Sequence, residues 1–372
     1  MTGAAQTLDG RRPAASATRD LWAVVLPLVA VGVLAGALTL GGRWVVPVAA
    51  LALIGAVISA VHHAEVVAHR VGEPSGTLVL ALAVTAIEVS LIVSVMVAGG
   101  EGKATLARDT VYATVMIIAT GVIGLCVLVG ALHHREQSFR IEGVGPALAA
   151  LTTLAVLVLV MPAFTRSSEA GTYTTSQLAF VGVCSLVLWC VWVFFQTVRH
   201  RDYFLPAAAP GDESVHATPP TKAQAWASFG LLVASLVGVV GLAKVLSPAI
   251  ESAVREAGAP VAVIGIAIAL LVLMPETVAA VRAAMADRLQ TSFNLALGSA
   301  LATIGLTIPV VVAVCIAFDI PIVLGLESRD IVLLALAILV AIMGVGGGRT
   351  NLMQGAVQVV IFAAFLFLSF VP

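Results

Sequence analysis

TLVLALAVTAIEVSLIVSVMVA, residues 77–98, holds a single ionisable side chain, Glu88, near the middle of an otherwise apolar run. At 1.5 Å per residue a helix of this length crosses the roughly 30 Å hydrocarbon core of a bilayer. Comparable runs recur at 21–40, 44–61, 110–132, 144–164, 178–198, 225–245, 260–281, 293–317, 331–345 and 352–371. The composition agrees. Of 372 residues 60% are hydrophobic and 10% charged, whereas a soluble domain carries about 25% charged residues. A water-soluble globular protein is thereby excluded. The expected fold is an all-α polytopic membrane protein with about eleven transmembrane helices.

The stretch RHRDYFLPAAAPGDESVHATPPTK, residues 199–222, is rich in Pro and charge and divides the chain after the sixth span. With the first helix set aside, five spans precede it and five follow. An odd number per half makes the halves insert in opposite orientations, which is the inverted-repeat plan of many transporters. The expected organisation is a tail at 1–20, an extra N-terminal helix at 21–42, a first five-helix repeat at 43–198, a linker at 199–224 and a second five-helix repeat at 225–372. The tail carries Arg11, Arg12 and Arg19, and no small-residue cleavage site follows, so it reads as retained. Twelve Lys and Arg fall on the tail's side of the membrane against seven on the other. That bias favours a cytoplasmic N-terminus in a cell membrane, plasma or inner. The formal net charge of −1 gives no reason to expect nucleic acid as a partner.

A carboxylate at bilayer mid-depth costs about 2.5–3.5 kcal/mol on insertion scales, so such groups face a wet cavity or a partner and mark ion paths. Thr85 precedes Glu88 by three residues and shares its helical face. The second half repeats the order. VTAIEVSLIV (84–93) is followed by RDTVYATVMIIATG (108–121), and LMPETVAAV (273–281) by SFNLALGSALATIG (292–305). Each half thus brings a buried acid, Glu88 or Glu276, and then a helix bearing hydroxyls. Thr110 and Thr114 lie on one face, and Ser299, Thr303 and Thr307 recur every fourth residue. Pro275 removes a backbone hydrogen bond beside Glu276 and frees a carbonyl near Val272. Arg282 sets Glu276 towards one end of its span, unless the helix runs on towards Asp287. Two carboxylates among neutral oxygens make a site for a hard cation, and Ca²⁺ takes about six to eight such ligands. The candidate ligands for cation and proton are Glu88, Glu276, Ser299, Thr85, Thr114 and Thr303. The same acids can trade metal for protons, which gives an exchange cycle. Each hydroxyl has a bland alternative, a bond to the carbonyl four residues back.

Other polar features are read as structural. Cys126, Cys184, Cys190 and Cys315 lie in apolar runs with no CxxC pair and read as small buried hydrophobes. His62, His63, Glu65, His69, Arg70 and Glu73 crowd between two spans as a solvated loop, with pH sensing as the alternative. Asn351, Gln354 and Gln358 form an amide stripe suited to helix-to-helix hydrogen bonds, and 344–348 marks a helix end or close packing. All seven histidines fall at or outside the expected span ends, and neither HExxH nor GxSxG occurs, which argues against an intramembrane enzyme. A channel remains the competing class, since buried acids also line pores.

At these residues the chain resembles the cation/proton exchangers of the Ca²⁺/cation antiporter superfamily, most closely the bacterial ChaA-type branch. The matching segments are HHAEVVAHRVGEPSGTLVLALAVTAIEVSLI, ARDTVYATVMIIATG, LVLMPETVAAV, NLALGSALATIGLTIPVV and GRTN. The resemblance implies two inverted repeats plus an N-terminal helix. It also implies antiport of Ca²⁺, and in this branch Na⁺ or K⁺, against H⁺, with no resident cofactor and the lipid bilayer as surroundings. Glu88 and Glu276 match the acids of the two signature repeats, and Gly298-Ser299 the step after the second. Where better-known exchangers have Gly-Asn-Ala before the acid, this chain has Thr85-Ala86-Ile87 and Met274-Pro275; where they have Gln after GSAL, it has Ala302. Fewer amide oxygens leave room for monovalent ions.

Overall fold

A computed structural model of the chain describes residues 21–40, 45–71, 75–97, 103–204, 220–256, 258, 260 and 262–371. The N-terminal tail and most of the linker, residues 205–219, lie outside them. The described chain is helical almost throughout. The first half holds α1 (Leu21–Leu40), α2 (Val45–Val71), α3 (Ser75–Val97), α4 (Leu106–Met116), α5 (Ile123–His134), α6 (Ile141–Ala155) and α7 (Thr175–Phe194). The second holds α8 (Lys222–Glu256), α9 (Ala262–Met285), α10 (Leu289–Ala302), α11 (Ile308–Phe318), α12 (Ser328–Val345) and α13 (Leu352–Phe370). A π turn at Ile117–Val122 joins α4 to α5 in one continuous segment, and another at Thr303–Thr307 joins α10 to α11. Among the described residues nine helical segments are long and apolar enough to cross a membrane, and α9, bent by 52° between Met274 and Glu276, makes a tenth. The shorter apolar stretch Leu82–Val97 of α3 completes the expected set. Large apolar side chains such as Leu51, Phe180, Met343 and Val360 point outward, as a lipid-facing surface requires.

Several ends differ from expectation. The α2 helix continues ten residues past 61, so His62, His63, Glu65, His69 and Arg70 are helical rather than in a loop. The reason is packing: Val57, Val61 and Ala64 continue a buried stripe, and His63 itself is buried with a partner. Gly72, Glu73 and Pro74, expected in the same loop, lie outside the described residues. Three histidines therefore sit inside a span-forming helix. At the other acid, α9 runs on to Met285, and Arg282 falls in its last turn. The cysteines divide: Cys126 and Cys315 are buried, Cys184 is half-buried and Cys190 is exposed on α7, because a lipid-facing position accepts a thiol as readily as an alkyl group. A two-residue ladder between β1 (Gln137–Ser138) and β2 (Arg349–Thr350) was not expected. The segment 344–348 does end a helix, with Gly348 at a φ of +62°.

The packing exchanges elements between the halves. The last helix of the first half, α7, lies along α11, and the last of the second, α13, lies along α5. There Gly355 meets the backbone of Leu128, where an added Cβ would stand 2.5 Å from its nitrogen. The α2 and α8 helices pair with each other, and α1 covers both. The loops obey the same exchange. At the end expected to be cytoplasmic, the loop after α5 pairs with the loop after α12 through β1 and β2, and Gln137 Nε2 donates to the carbonyl of Ala284 at 2.9 Å. At the opposite end, the loop after α11 donates to the carbonyl of Gly171 from Leu324 and Gly325, and Val323 N–H donates to the carbonyl of Ala104 at 2.9 Å. Each loop is pinned by the start of the other half's third span. Arg108 Nη1 donates to the carbonyl of Gly325 at 3.0 Å, and Arg140 N–H donates to Gln290 Oε1 at 2.7 Å.

Candidate cation site

Four helices meet around the two acids. Glu88 lies on α3, thirteen residues from one end and nine from the other, and is 2% exposed. Glu276 lies on α9, just past its bend, and is half-buried. Glu276, from the other half of the chain, lies near enough to Glu88 for its charge to be felt there. From the third span of the second half, Thr303 Oγ1 donates a 2.8 Å hydrogen bond to Glu88 Oε2. Thr307 stands beside the same carboxylate at the other end of the π turn. π turns are frequent where a helix has a functional task, because the extra residue re-aims the side chains.

Several of the buried oxygens left without a hydrogen-bond partner lie on the helices around the acids. Glu88 Oε1, Glu276 Oε2, Thr307 Oγ1 and Thr110 Oγ1 are buried without a hydrogen-bond partner. Unpaired buried oxygens cost free energy, so native structures keep few of them unless something else fills the role. Asp109 of α4 is a further buried acid, and it behaves differently. Its Oδ1 accepts from Arg108 Nε at 2.8 Å and its Oδ2 from Thr105 Oγ1 at 2.9 Å. Asp109 is satisfied by the protein, whereas Glu88 and Glu276 each keep one buried oxygen without a partner.

The six expected ligands are not brought together equally. Glu88, Glu276 and Thr303 converge. Thr85 and Thr114 are buried on α3 and α4, and Ser299 is half-buried one turn before Thr303. None of these three hydrogen-bonds either carboxylate. Gln358 of the amide stripe faces α5 instead, with Gly124 against its Cβ. Glu65 of α2 was read as a loop residue, yet its charge acts on Glu276 from the exposed end of the helix. The apolar spacing that carries α2 past 61 is the signal that would have placed it. Among the described residues no three His, Cys, Asp or Glu side chains gather as they do around a tightly held metal. Two carboxylates with hydroxyls suit an ion that binds and leaves.

A family model described as sodium/calcium exchanger protein matches the chain twice, over residues 42–198 and 227–371. A putative ionic transporter of Sinorhizobium fredii is 45% identical over 98% of this chain and its own full length. The sodium-potassium/proton antiporter ChaA of Escherichia coli is 34% identical over 88% of this chain and 89% of its own. Among solved structures, that of native YfkE superposes with a TM-score of 0.72 at 18% identity, covering 95% of this chain and 100% of that one.

Proposed function

For a chain that belongs to the sodium/calcium exchanger protein family, we propose cation/proton antiport: export of Ca²⁺ in exchange for H⁺, with Na⁺ or K⁺ as further substrates of the same site. The observation that carries this reading is the pair of acids, one from each half, each with a buried oxygen that no protein group satisfies. With both carboxylates ionised, a divalent cation balances the charge in a low-dielectric site. With the cation gone, protons take its place and remove the cost of buried charge, and the unloaded site can then return across the membrane. We read the halves as inverted repeats at 43–198 and 225–372 joined by a cytoplasmic linker. The two family matches and the exchange of loops and helices between halves support that division. The protein is a multi-pass membrane protein, and the basic-residue bias supports a cytoplasmic N-terminus in the cell membrane.

A second reading has its own support. The neutral oxygens beside Glu88 are hydroxyls, and the Escherichia coli relative is a sodium-potassium/proton antiporter by name. Under this reading the chain carries Na⁺ or K⁺ with little Ca²⁺. One assay separates the two. Everted vesicles with an acidified lumen are given Ca²⁺, Na⁺ or K⁺ across a range of pH, and proton release is recorded. Each transported ion releases protons from wild type, while Glu88→Gln and Glu276→Gln abolish the response. Proton release that survives both substitutions, or Ca²⁺ uptake indifferent to pH, defeats the proposal.

A further inference from the structure

Hydroxyls on the helices of this chain have a habitual partner, the carbonyl four residues back. Thr120 donates to Met116, Thr152 to Leu148, Ser185 to Val181, Thr197 to Val193 and Thr277 to Leu273. Two of these, Thr120 and Thr197, sit within π turns themselves, so a π turn does not prevent the bond. Thr303 and Thr307 depart from the habit at the two ends of one such turn. Thr303 gives its proton to Glu88 Oε2. Thr307 is fully buried, gives no bond to the carbonyl four residues back, and turns its hydroxyl towards the same carboxylate without reaching an ordinary hydrogen-bond geometry.

The consequence is chemical. A hydroxyl whose proton is committed to a carboxylate turns its lone pairs elsewhere, so Thr303 is a pre-oriented neutral ligand for an ion held by that carboxylate. Thr307, one π turn along, turns towards the same acid and has no backbone bond to break, so it offers a second oxygen. The corresponding turn of the first half, Ile117–Val122, supplies nothing comparable, because its Thr120 is spent on the backbone. The two halves therefore contribute one acid each, while the neutral oxygens at Glu88 come from the second half.

We propose that Thr307 is a direct ligand of the transported cation and, with Thr303, sets its selectivity through hydroxyl oxygens. The assignment rests on the two-acid site proposed above and extends it to a residue that sets affinity. A hydroxyl beside a carboxylate is a weaker, less charged ligand than a third acid, so it discriminates among ions without fixing any of them.

The test uses the full-length protein in everted vesicles, with KM and maximal rate measured separately for Na⁺, K⁺ and Ca²⁺. Thr307→Val keeps the shape and removes the oxygen. It raises KM about fivefold for the preferred ion, the scale of one lost polar contact, while the rate at saturating ion stays near wild type. Thr307→Ser restores KM to within about twofold, because the oxygen returns. Thr120→Val, the matching change in the first half, leaves KM unchanged. Equal KM values for Thr307→Val and wild type overturn the assignment, as does a Thr307→Ser variant as impaired as Thr307→Val. Should Thr307→Val fail to accumulate, isothermal titration of purified Thr307→Ser and Thr307→Cys with each ion decides the matter: affinity close to wild type for Ser and weakened for Cys supports it, and equal affinity for both overturns it. Loss of transport in Glu88→Gln and Glu276→Gln beside an unaffected Thr307→Val would leave the two-acid site standing and remove Thr307 alone.

Discussion

His63 on α2 donates from Nε2 to the carbonyl of Ala23 on α1 at 2.9 Å, and Ser59, one turn earlier, donates to the same oxygen at 2.8 Å. That carbonyl is available because Pro27, four residues on, has no N–H to give it. A break in one helix thus becomes the docking point for its neighbour. The α1 helix packs chiefly on α2 and α8, so this bond is a principal polar anchor for a helix whose other faces are mostly exposed.

Replacing His63 with Leu should therefore loosen α1 without touching the acids. A Leu26→Cys and Gly55→Cys pair, placed where these residues meet, reports the docking as a disulfide formed under mild oxidation. Adding His63→Leu slows its formation about threefold or more, as expected for the loss of a buried hydrogen bond. An unchanged rate would show that apolar contact alone holds the helix.

Glu88→Gln should separate stability from transport. The amide oxygen can still accept from Thr303, and the substitution removes a buried, half-paired carboxylate. Thermal unfolding in detergent is expected to be as high as wild type or higher, with cation-driven proton release reduced about a hundredfold or more. A sharp fall in stability would place Glu88 in the framework instead of the site.

Asp109→Asn should do the reverse. Both oxygens of Asp109 are held by Arg108 and Thr105, and Arg108 in turn reaches Gly325. Breaking a buried pair by neutralising one partner costs on the order of 3 kcal/mol. The yield of monodisperse protein drops, while the KM for ions of the folded fraction stays at the wild-type value. A raised KM would make Asp109 part of the ion path.

Gly265 offers a way to move Glu276 without altering it. A Cβ at this position of α9 would stand 2.9 Å from the Asp109 carbonyl carbon and the Thr110 nitrogen, and backbone atoms do not yield as side chains do. Gly265→Ala is expected to shift α9 on α4 and raise KM for the cation severalfold, and Gly265→Val to prevent accumulation of folded protein. Wild-type kinetics in Gly265→Val would show that this approach is not required.

What could be read without the structure follows from solvent. Glu88 and Glu276 stand out because a carboxylate is misplaced in hydrocarbon, and Thr303 because its spacing repeats along a helix. The same reasoning failed at α2, where His62, His63, Glu65 and Arg70 look like loop residues although the apolar stripe beneath them continues. It also passed over Asp109, whose pairing with the adjacent Arg108 gives a run of charge that reads as a span end. Spacing alone could not tell Thr303, which reaches Glu88, from Ser299, which does not, because the π turn between 303 and 307 has no marker in the residues. The β1 and β2 ladder is two residues per strand, too short for any alternation to show.

The pairing of loops across the halves imposes an order on biogenesis. Gly171 can be bonded as soon as Leu324 and Gly325 have emerged, but Thr350 donates back across 213 positions to the carbonyl of Gln137. Chains leave the ribosome from the N-terminus, so one face of the molecule is stitched while the last helices are still being made. At the other face the side chain of Gln137 reaches Ala284 early, but its backbone edge stays unpaired until the final hairpin arrives. A nascent chain that stalls before α12 and α13 are inserted is thus a half-fastened protein, with the backbone edge at Gln137–Ser138 bare to quality-control proteases.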